Sequence, residues 1–277
     1  MSNFWQRLIT ALIFAAVGIG FILLNKYTFL TLVFVLNILM LYEFYDIVKP
    51  RLSYSPTYRL PALILSLSIG ALCYMIFTLI ALQLISPMFF LLLPVYFFIL
   101  FTYELFAHST QPFTNIAYNI FGICYITIPL GLLNLIAVDR LSYSPGVVLG
   151  ILILVWSNDI FAYLVGSQIG KTKLMERISP KKTVEGFLGG ALACIIAGSI
   201  IAMFSELYSR LDWFIMAVIV VIFATIGDLV ESMLKRNLRI KDSGRILPGH
   251  GGFLDRFDGV IFALPFIVAF LIFKYNW

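Results

Sequence analysis

Apolar residues fill the chain in long, nearly continuous runs that short polar gaps separate. A run of about 20 apolar residues is long enough for a helix to cross a bilayer. Such runs predict nine transmembrane helices, at about 4–24, 28–48, 61–84, 88–107, 113–136, 147–166, 186–206, 213–234 and 259–274. Their continuity favours helices over the alternating strands of a membrane β-barrel. We therefore predict an all-α, polytopic integral membrane protein.

The composition supports this class of protein. Of the 277 residues, 61% are hydrophobic and only 12% are charged. Soluble domains carry about 25% charged residues, so this chain has too few charges to solvate the surface of a globule of its size. The same numbers exclude intrinsic disorder, which needs low hydrophobicity and high charge.

Basic residues are concentrated in alternate gaps between the predicted spans. With nine spans, 15 of the 19 Lys and Arg residues fall on one side of the membrane. The other side receives Lys26, Arg140, Arg210 and Lys274. Because cytoplasmic loops carry the excess of Lys and Arg, we predict a cytosolic N-terminus and an external C-terminus. In a bacterium the membrane would be the inner one.

Polar chemistry is concentrated in the second half of the chain. Residues 1–140 form a predicted N-terminal membrane region of about five spans with few ionisable groups. Residues 141–277 form a predicted C-terminal catalytic region of about four spans. Its candidate groups lie around two cytosolic motif loops, 167–185 and 235–258.

The sixth predicted span and the gap after it carry the first candidate groups. Asp159 lies within the span, where an Asp costs roughly 2.5–3.5 kcal/mol on insertion scales. The gap contains Lys171, Lys181, Lys182 and Thr183, which are suited to binding phosphate oxygens. Ordinary positive-inside charge or attraction to anionic lipid explains the same lysines equally well.

The eighth predicted span ends in a polar stripe. Asp228, Glu231, Ser232 and Lys235 follow a spacing that places them on one helix face. Two carboxylates one turn apart are suited to holding a hard cation through oxygen ligands. The alternative is that Lys235 and Arg236 neutralise them.

A glycine-rich gap follows the stripe. Its glycines expose backbone N–H groups, and Asp255 and Asp258 stand one turn apart at the predicted start of the last span. Carboxylates beside Lys and Arg residues are what a metal–triphosphate site requires. The polar residues of this gap are Lys241, Asp242, Ser243, Arg245, His250, Asp255, Arg256 and Asp258.

The segment from Ser232 to Asp258 resembles the signature of the phosphatidate cytidylyltransferases, also called CDP-diacylglycerol synthases. The pattern is Ser-x-x-Lys-Arg, four residues, Lys-Asp, then Pro-x-His-Gly-Gly, two residues and Asp-Arg-x-Asp. Its fixed positions are met by Ser232, Lys235, Arg236, Lys241, Asp242, Pro248, His250, Gly251, Gly252, Asp255, Arg256 and Asp258. The upstream groups around Asp159 and from Ser179 to Gly186 are similar too, so the resemblance covers about residues 155–260.

The resemblance implies that CTP and phosphatidate react to give CDP-diacylglycerol and pyrophosphate, at a bilayer and with Mg²⁺. It implies no nucleic-acid partner, and it leaves open a second cation and a homodimer. The implied metal ligands are Asp228, Asp255, Asp258 and Glu231, and the implied catalytic residues are Asp228, Asp255, Lys182 and His250. The implied substrate-binding residues are Asp159, Lys171, Lys181, Thr183, Ser232, Lys235, Arg236, Lys241, Asp242, Gly251, Gly252 and Arg256.

Two other functions compete with this interpretation. A CTP-dependent lipid kinase of the dolichol-kinase type would transfer the γ-phosphoryl group to an alcohol. An ion-coupled transporter would use Asp159, Asp228 and Glu231 as ion ligands within the membrane. Three more acidic residues, Glu43, Asp46 and Glu104, lie at cytosolic span ends, where helix capping or snorkelling is the simplest interpretation.

Overall fold

The computed structural model describes residues 3–139, 142–244 and 251–275. Its helices are α1 (Asn3–Leu24), α2 (Lys26–Val48), α3 (Pro56–Ala81), α4 (Leu92–Phe106), α5 (Pro112–Gly122), α6 (Ile128–Ala137), α7 (Pro145–Ile169), α8 (Val184–Phe204), α9 (Arg210–Asn237) and α10 (Leu254–Tyr275). Within these residues eight helical segments are apolar and long enough to cross a membrane, and Leu12–Leu24 is a shorter apolar helix. The prediction of an all-α, polytopic membrane protein is confirmed.

The predicted spans correspond to these helices with small shifts at the ends. The fifth span comprises α5 and α6, which a π-helical turn over Ile123–Thr127 joins without a break. The ninth begins at Leu254 rather than near residue 259. Asp255 and Asp258 therefore lie inside the first turns of α10. The side of the membrane on which each terminus lies stays a prediction.

Two short antiparallel hairpins interrupt the helices, and the sequence did not predict either. Strand β1 (Val138–Asp139) pairs with β2 (Ser142–Tyr143) just before α7. Strand β3 (Lys173–Met175) pairs with β4 (Ser179–Thr183) in the gap between α7 and α8. The second hairpin carries Lys181 and Lys182, so it gives the lysine-rich gap a defined backbone.

The first of two compact units comprises the chain through Tyr143 together with Asp242–Leu254. One apolar cluster of this unit is built by α3, α4 and the π-helical turn, with Ile69, Phe77, Leu100 and Ile123 among its buried members. The segment Asp242–Leu254 groups with the N-terminal helices, whereas the sequence-based division assigns it to the C-terminal region. That division into 1–140 and 141–277 stays a prediction.

A buried acid, Glu104, lies at the centre of a polar network in the first unit. The Tyr54 hydroxyl donates a hydrogen bond to one carboxylate oxygen of Glu104, and Asn115 Nδ2 donates to the other at 3.2 Å. Burial, followed by the contact with Glu104, raises the pKa of Tyr54 well above its ordinary value, so the hydroxyl remains a donor. Glu104 is 7% exposed and has these two donors, so snorkelling does not describe it.

The second unit comprises Ser144–Lys241 and the chain from Asp255 onward. Helices α7 and α8 approach closely where Gly166 faces Gly186: a Cβ on Gly186 would lie 2.6 Å from the Ala162 carbonyl oxygen. Only glycine permits that approach of two backbones. The crossing lies beside the end of β4, and it therefore holds the lysine hairpin next to α7.

Candidate active site

Lys235 joins two acidic residues from different helices of the second unit. Its Nζ lies 2.7 Å from Glu231 Oε2, one turn earlier on α9, and 2.6 Å from Asp255 Oδ1 in the first turn of α10. The side chains of Glu231 and Asp255 are 1% and 10% exposed. Because these side chains are buried, solvent screens their charges only weakly, and removal of one partner would leave an uncompensated buried charge. The two ion pairs therefore connect the end of α9 to the start of α10.

A second lysine reaches α9 from the hairpin. Lys182 Nζ, on β4, lies 2.5 Å from Asp228 Oδ2. The other oxygen of Asp228 accepts a hydrogen bond from Ser232 Oγ at 3.3 Å, one turn along α9. Asp228 is thus neutralised by Lys182, and Glu231 by Lys235, so each carboxylate of the predicted stripe has its own lysine.

Two further carboxylates share this region. Asp258, on α10, lies within electrostatic range of Asp228, Glu231 and Asp159, and its Oδ1 accepts the Gly259 N–H at 2.7 Å. Asp159, on α7, lies within electrostatic range of Lys182 and Asp228. Helices α7, α9 and α10 together therefore collect five carboxylates around two lysine side chains. We call this set the acidic cluster: Asp159, Asp228, Glu231, Asp255 and Asp258, with Lys182 and Lys235.

The acidic cluster has the donor chemistry that a hard cation requires. Oxygen ligands from Asp and Glu are those that Mg²⁺ prefers. Within the described residues, Glu231 Oε1 is buried and accepts no hydrogen bond, and a buried carboxylate oxygen without a donor is costly. In the same part of the chain no group of three or more His, Cys, Asp and Glu side chains already has the geometry of a metal site. The ammonium groups of Lys182 and Lys235 instead contact three of the five carboxylates.

The hairpin beside the cluster is held by a carboxylate and a hydroxyl at the start of α8. Glu185 accepts the backbone N–H groups of Lys171 and Thr172, each at 3.1 Å. Thr183 precedes α8 and its Oγ1 accepts the Gly186 N–H at 3.2 Å, as a helix N-cap does. Thr183 is buried and already has this structural role, and its assignment to substrate binding stays a prediction.

Most of the remaining candidate residues lie on exposed surface or outside the described residues, whereas Gly252 is buried and Gly251 is partly buried. His250 falls within 245–250, which lies outside the described residues. Gly251 has φ 82°, a backbone conformation that favours glycine. The candidates with exposed side chains are Lys171, Lys181, Arg236, Lys241, Asp242 and Arg256.

With this geometry established, comparison with known proteins identifies the family. The sequence profile of the cytidylyltransferase family matches residues 5–273. The chain belongs to the cytidylyltransferase family. It is 31% identical over 273 residues to a phosphatidate cytidylyltransferase of Bacillus subtilis, a match that covers 98% of each chain.

Staphylococcal relatives with the same name are more similar over a shorter stretch. The chain is 39% identical over 177 residues to the phosphatidate cytidylyltransferase of Staphylococcus epidermidis and 40% identical to that of Staphylococcus haemolyticus. Each match covers 63% of this chain and 66% of the relative. The chain thus spans just under two thirds of these relatives, whereas it aligns with nearly all of the Bacillus protein.

In this cytidylyltransferase family member, sequence reasoning missed the roles of two acidic residues. Glu185 organises the lysine hairpin through backbone N–H groups, and its place in the first turn of α8 was the available signal. Glu43, on α2, is 3% exposed and accepts the Leu254 N–H at 3.0 Å, so snorkelling does not describe it. Asp46, which the sequence also placed at a cytosolic span end, is exposed. Its Oδ1 lies 3.8 Å from Lys49 Nζ, one turn away, as in an ordinary surface ion pair.

Proposed function

We propose that this protein transfers the cytidylyl group of CTP to phosphatidate, releasing pyrophosphate and forming CDP-diacylglycerol. The observation that carries the proposal is the match over 98% of both chains to a relative named phosphatidate cytidylyltransferase. Membership of the cytidylyltransferase family supports the reaction class. The acidic cluster, with its two lysines, supports chemistry between phosphate groups.

The reaction joins two anions, and electrostatic repulsion is its main difficulty. An oxygen of the phosphatidate phosphate attacks the α-phosphorus of CTP, and the bond from that phosphorus to the oxygen bridging to the β-phosphorus breaks. The pyrophosphate leaves with that bonding pair. Because the attacking phosphate is already ionised at neutral pH, positioning and charge neutralisation are the main requirements.

Lysines of this chain are suited to that neutralisation. We propose that Lys182 contacts a phosphate of CTP or phosphatidate, with Lys181 and Lys171 on the same hairpin region as further contacts. Support comes from the pairing of Lys182 with Asp228 at 2.5 Å, which places the ammonium group beside the acidic cluster. Arg236, Lys241 and the residues near His250 remain predicted substrate contacts.

The acidic cluster also fits a magnesium ion. We propose that Asp228 and Asp255 are its principal ligands, with Glu231 and Asp258 as further oxygen donors; the donor-free buried oxygen of Glu231 supports this. A bound Mg²⁺ would supply positive charge to the transferring and leaving phosphates. A second cation is compatible with a cluster of five carboxylates and two lysines.

The location of the substrates sets the proposed location of the site. The apolar helices indicate an integral membrane protein, and phosphatidate keeps its acyl chains in the bilayer. CTP is a cytosolic nucleotide, so we propose that the acidic cluster faces the cytosol, in the inner membrane if the protein is bacterial like its relatives. A cytosolic N-terminus, an external C-terminus and a homodimer stay predictions.

Labelled CTP distinguishes this reaction from that of a lipid kinase. Purified protein in detergent would receive phosphatidate, Mg²⁺ and CTP labelled at either the α- or the γ-phosphorus. We expect α-label to enter the lipid product and γ-label to appear in pyrophosphate. Entry of γ-label into lipid would contradict the proposal and would support a CTP-dependent kinase instead.

A further inference from the structure

A buried carboxylate on α2 accepts a hydrogen bond from the end of the segment Asp242–Leu254, which we call the signature loop. Glu43 Oε2 accepts the N–H of Leu254 at 3.0 Å, across 211 positions of sequence. Glu43 is 3% exposed, and Ser243 and Leu254 are buried at 3% and 0%. The contact lies wholly within the first unit, which contains both α2 and Asp242–Leu254.

Two glycines that flank the undescribed residues 245–250 lie close to this carboxylate. A Cβ on Gly244 would lie 2.5 Å from Glu43 Oε1, and a Cβ on Gly252 would lie 2.5 Å from Glu43 Oε2 and 2.3 Å from Ser243 Oγ. An alanine at either position would push the carboxylate away from the loop. The glycine of the signature at 252 therefore has a packing partner in this chain, in addition to any contact with a ligand.

A buried carboxylate destabilises an apolar helix unless hydrogen-bond donors surround it. Burying a charge without hydrogen bonds costs several kcal/mol, so Glu43 must be matched to its donors. Its Leu254 donor is the first residue of α10, and Asp255 and Asp258 follow directly in the chain. The hydrogen bond thus fixes the residue from which two members of the acidic cluster continue.

We propose that Glu43 is a positioning residue for cytidylyl transfer, because its carboxylate fixes the backbone at Gly244, Gly252 and Leu254, the last of which begins α10. The inference rests on the proposed function. Glu43 itself need not touch a substrate. Displacing a reacting group by about 1 Å can cost roughly a hundredfold in rate, so a loosened entry to α10 lowers kcat even when the protein stays folded.

Substitutions at Glu43 distinguish the effect of side-chain length and hydrogen bonding from the effect of charge. Glu43→Gln keeps the length of the side chain and an oxygen that can accept the Leu254 N–H. Glu43→Asp keeps the charge but withdraws the carboxylate by about one C–C bond, roughly 1.5 Å. We expect kcat to fall roughly tenfold to a hundredfold in Glu43→Ala and Glu43→Asp, and to fall less in Glu43→Gln.

Glu104 supplies the matched control. It is another buried acid of the first unit, but its partners Tyr54 and Asn115 are not in the signature loop. Glu104→Gln should lower the melting temperature as a loss of buried hydrogen bonding does, without changing kcat of the folded enzyme. If a Glu104 variant loses kcat as Glu43→Asp does, the effect reflects general destabilisation, and the proposal is wrong.

Hydrogen exchange tests the structural half of the inference without any assay of activity. We expect the Leu254 amide to exchange faster in Glu43→Ala and Glu43→Asp than in wild type, with Glu43→Gln in between. Faster exchange in a protein that does not use CTP would leave the positioning of the loop intact and would refute the proposed function. Unchanged exchange at Leu254, or normal kcat in folded Glu43→Asp with loss in Glu43→Gln, would overturn the positioning role.

Discussion

Removing the Lys182 ammonium group should weaken catalysis more than removing its neighbour on the same strand. Lys182 Nζ lies 2.5 Å from Asp228 Oδ2, and the two side chains are 27% and 38% exposed. A hydrogen bond to a charged group contributes roughly 1.5–3 kcal/mol. Because this degree of exposure screens the charges, we take the lower end, about 1.5 kcal/mol, which corresponds to about a tenfold loss of kcat/KM.

Lys181→Ala is the matched control for Lys182→Ala. Lys181 is exposed on the same strand, β4, and its replacement removes the same charge from the same gap. Initial rates at varied CTP and varied phosphatidate, with purified protein in detergent, give kcat/KM for each variant. We expect Lys181→Ala to lose less than threefold and Lys182→Ala about tenfold, because Lys182→Ala removes one proposed charge-assisted contact with a substrate phosphate. Equal losses would refute a specific role for Lys182. They would support the alternative that the lysines of the hairpin attract anionic lipid without a specific contact.

Three further predictions follow from the second unit. Asp228→Asn and Asp255→Asn should each abolish nearly all turnover without adding in the double variant, and Mg²⁺ should raise the melting temperature of wild type more than of either variant; additive losses would place the two residues in separate sites. Lys274→Met should lower stability by about 1–3 kcal/mol without changing kcat. Lys274, in the last turn of α10, pairs with the buried Asp212 in the first turn of α9, and these are the ends opposite to those that carry the acidic cluster. A lower kcat in this variant would refute that separation. A reporter that is active only in the cytosol should be silent when fused after residue 277, and strong activity would overturn the predicted orientation.

The helices could be predicted because the bilayer imposes their length and their apolar character. The start of α10 was placed too late because Asp255 and Asp258 read as a polar gap. Acidic residues are favourable in the first turn of a helix, and α10 begins with them. The hairpin of β3 and β4 was missed because its strands have only three and five residues and include Pro180 and three lysines, which are poor strand formers.

The residue types of the candidate site could be predicted, but not their pairing. An Asp or a Lys in an apolar chain stands out by composition alone, which singled out Asp228 and Lys182. The pairing of lysines with carboxylates depends on how β4 and α10 pack against α9. The local sequence does not determine this packing. The contact between Glu43 and Leu254 joins residues that are 211 positions apart in the sequence. Its only local signal was an acidic residue in an apolar helix.

The fate of the phosphatidate oxygens tests the central claim most directly. Phosphatidate whose three terminal phosphate oxygens carry ¹⁸O would react with unlabelled CTP, and mass spectrometry would read both products. If the lipid phosphate attacks the α-phosphorus of CTP, CDP-diacylglycerol retains all the ¹⁸O, one label bridges its two phosphorus atoms, and the pyrophosphate contains none. Labelled pyrophosphate, or a lipid diphosphate formed together with CDP, would contradict the account.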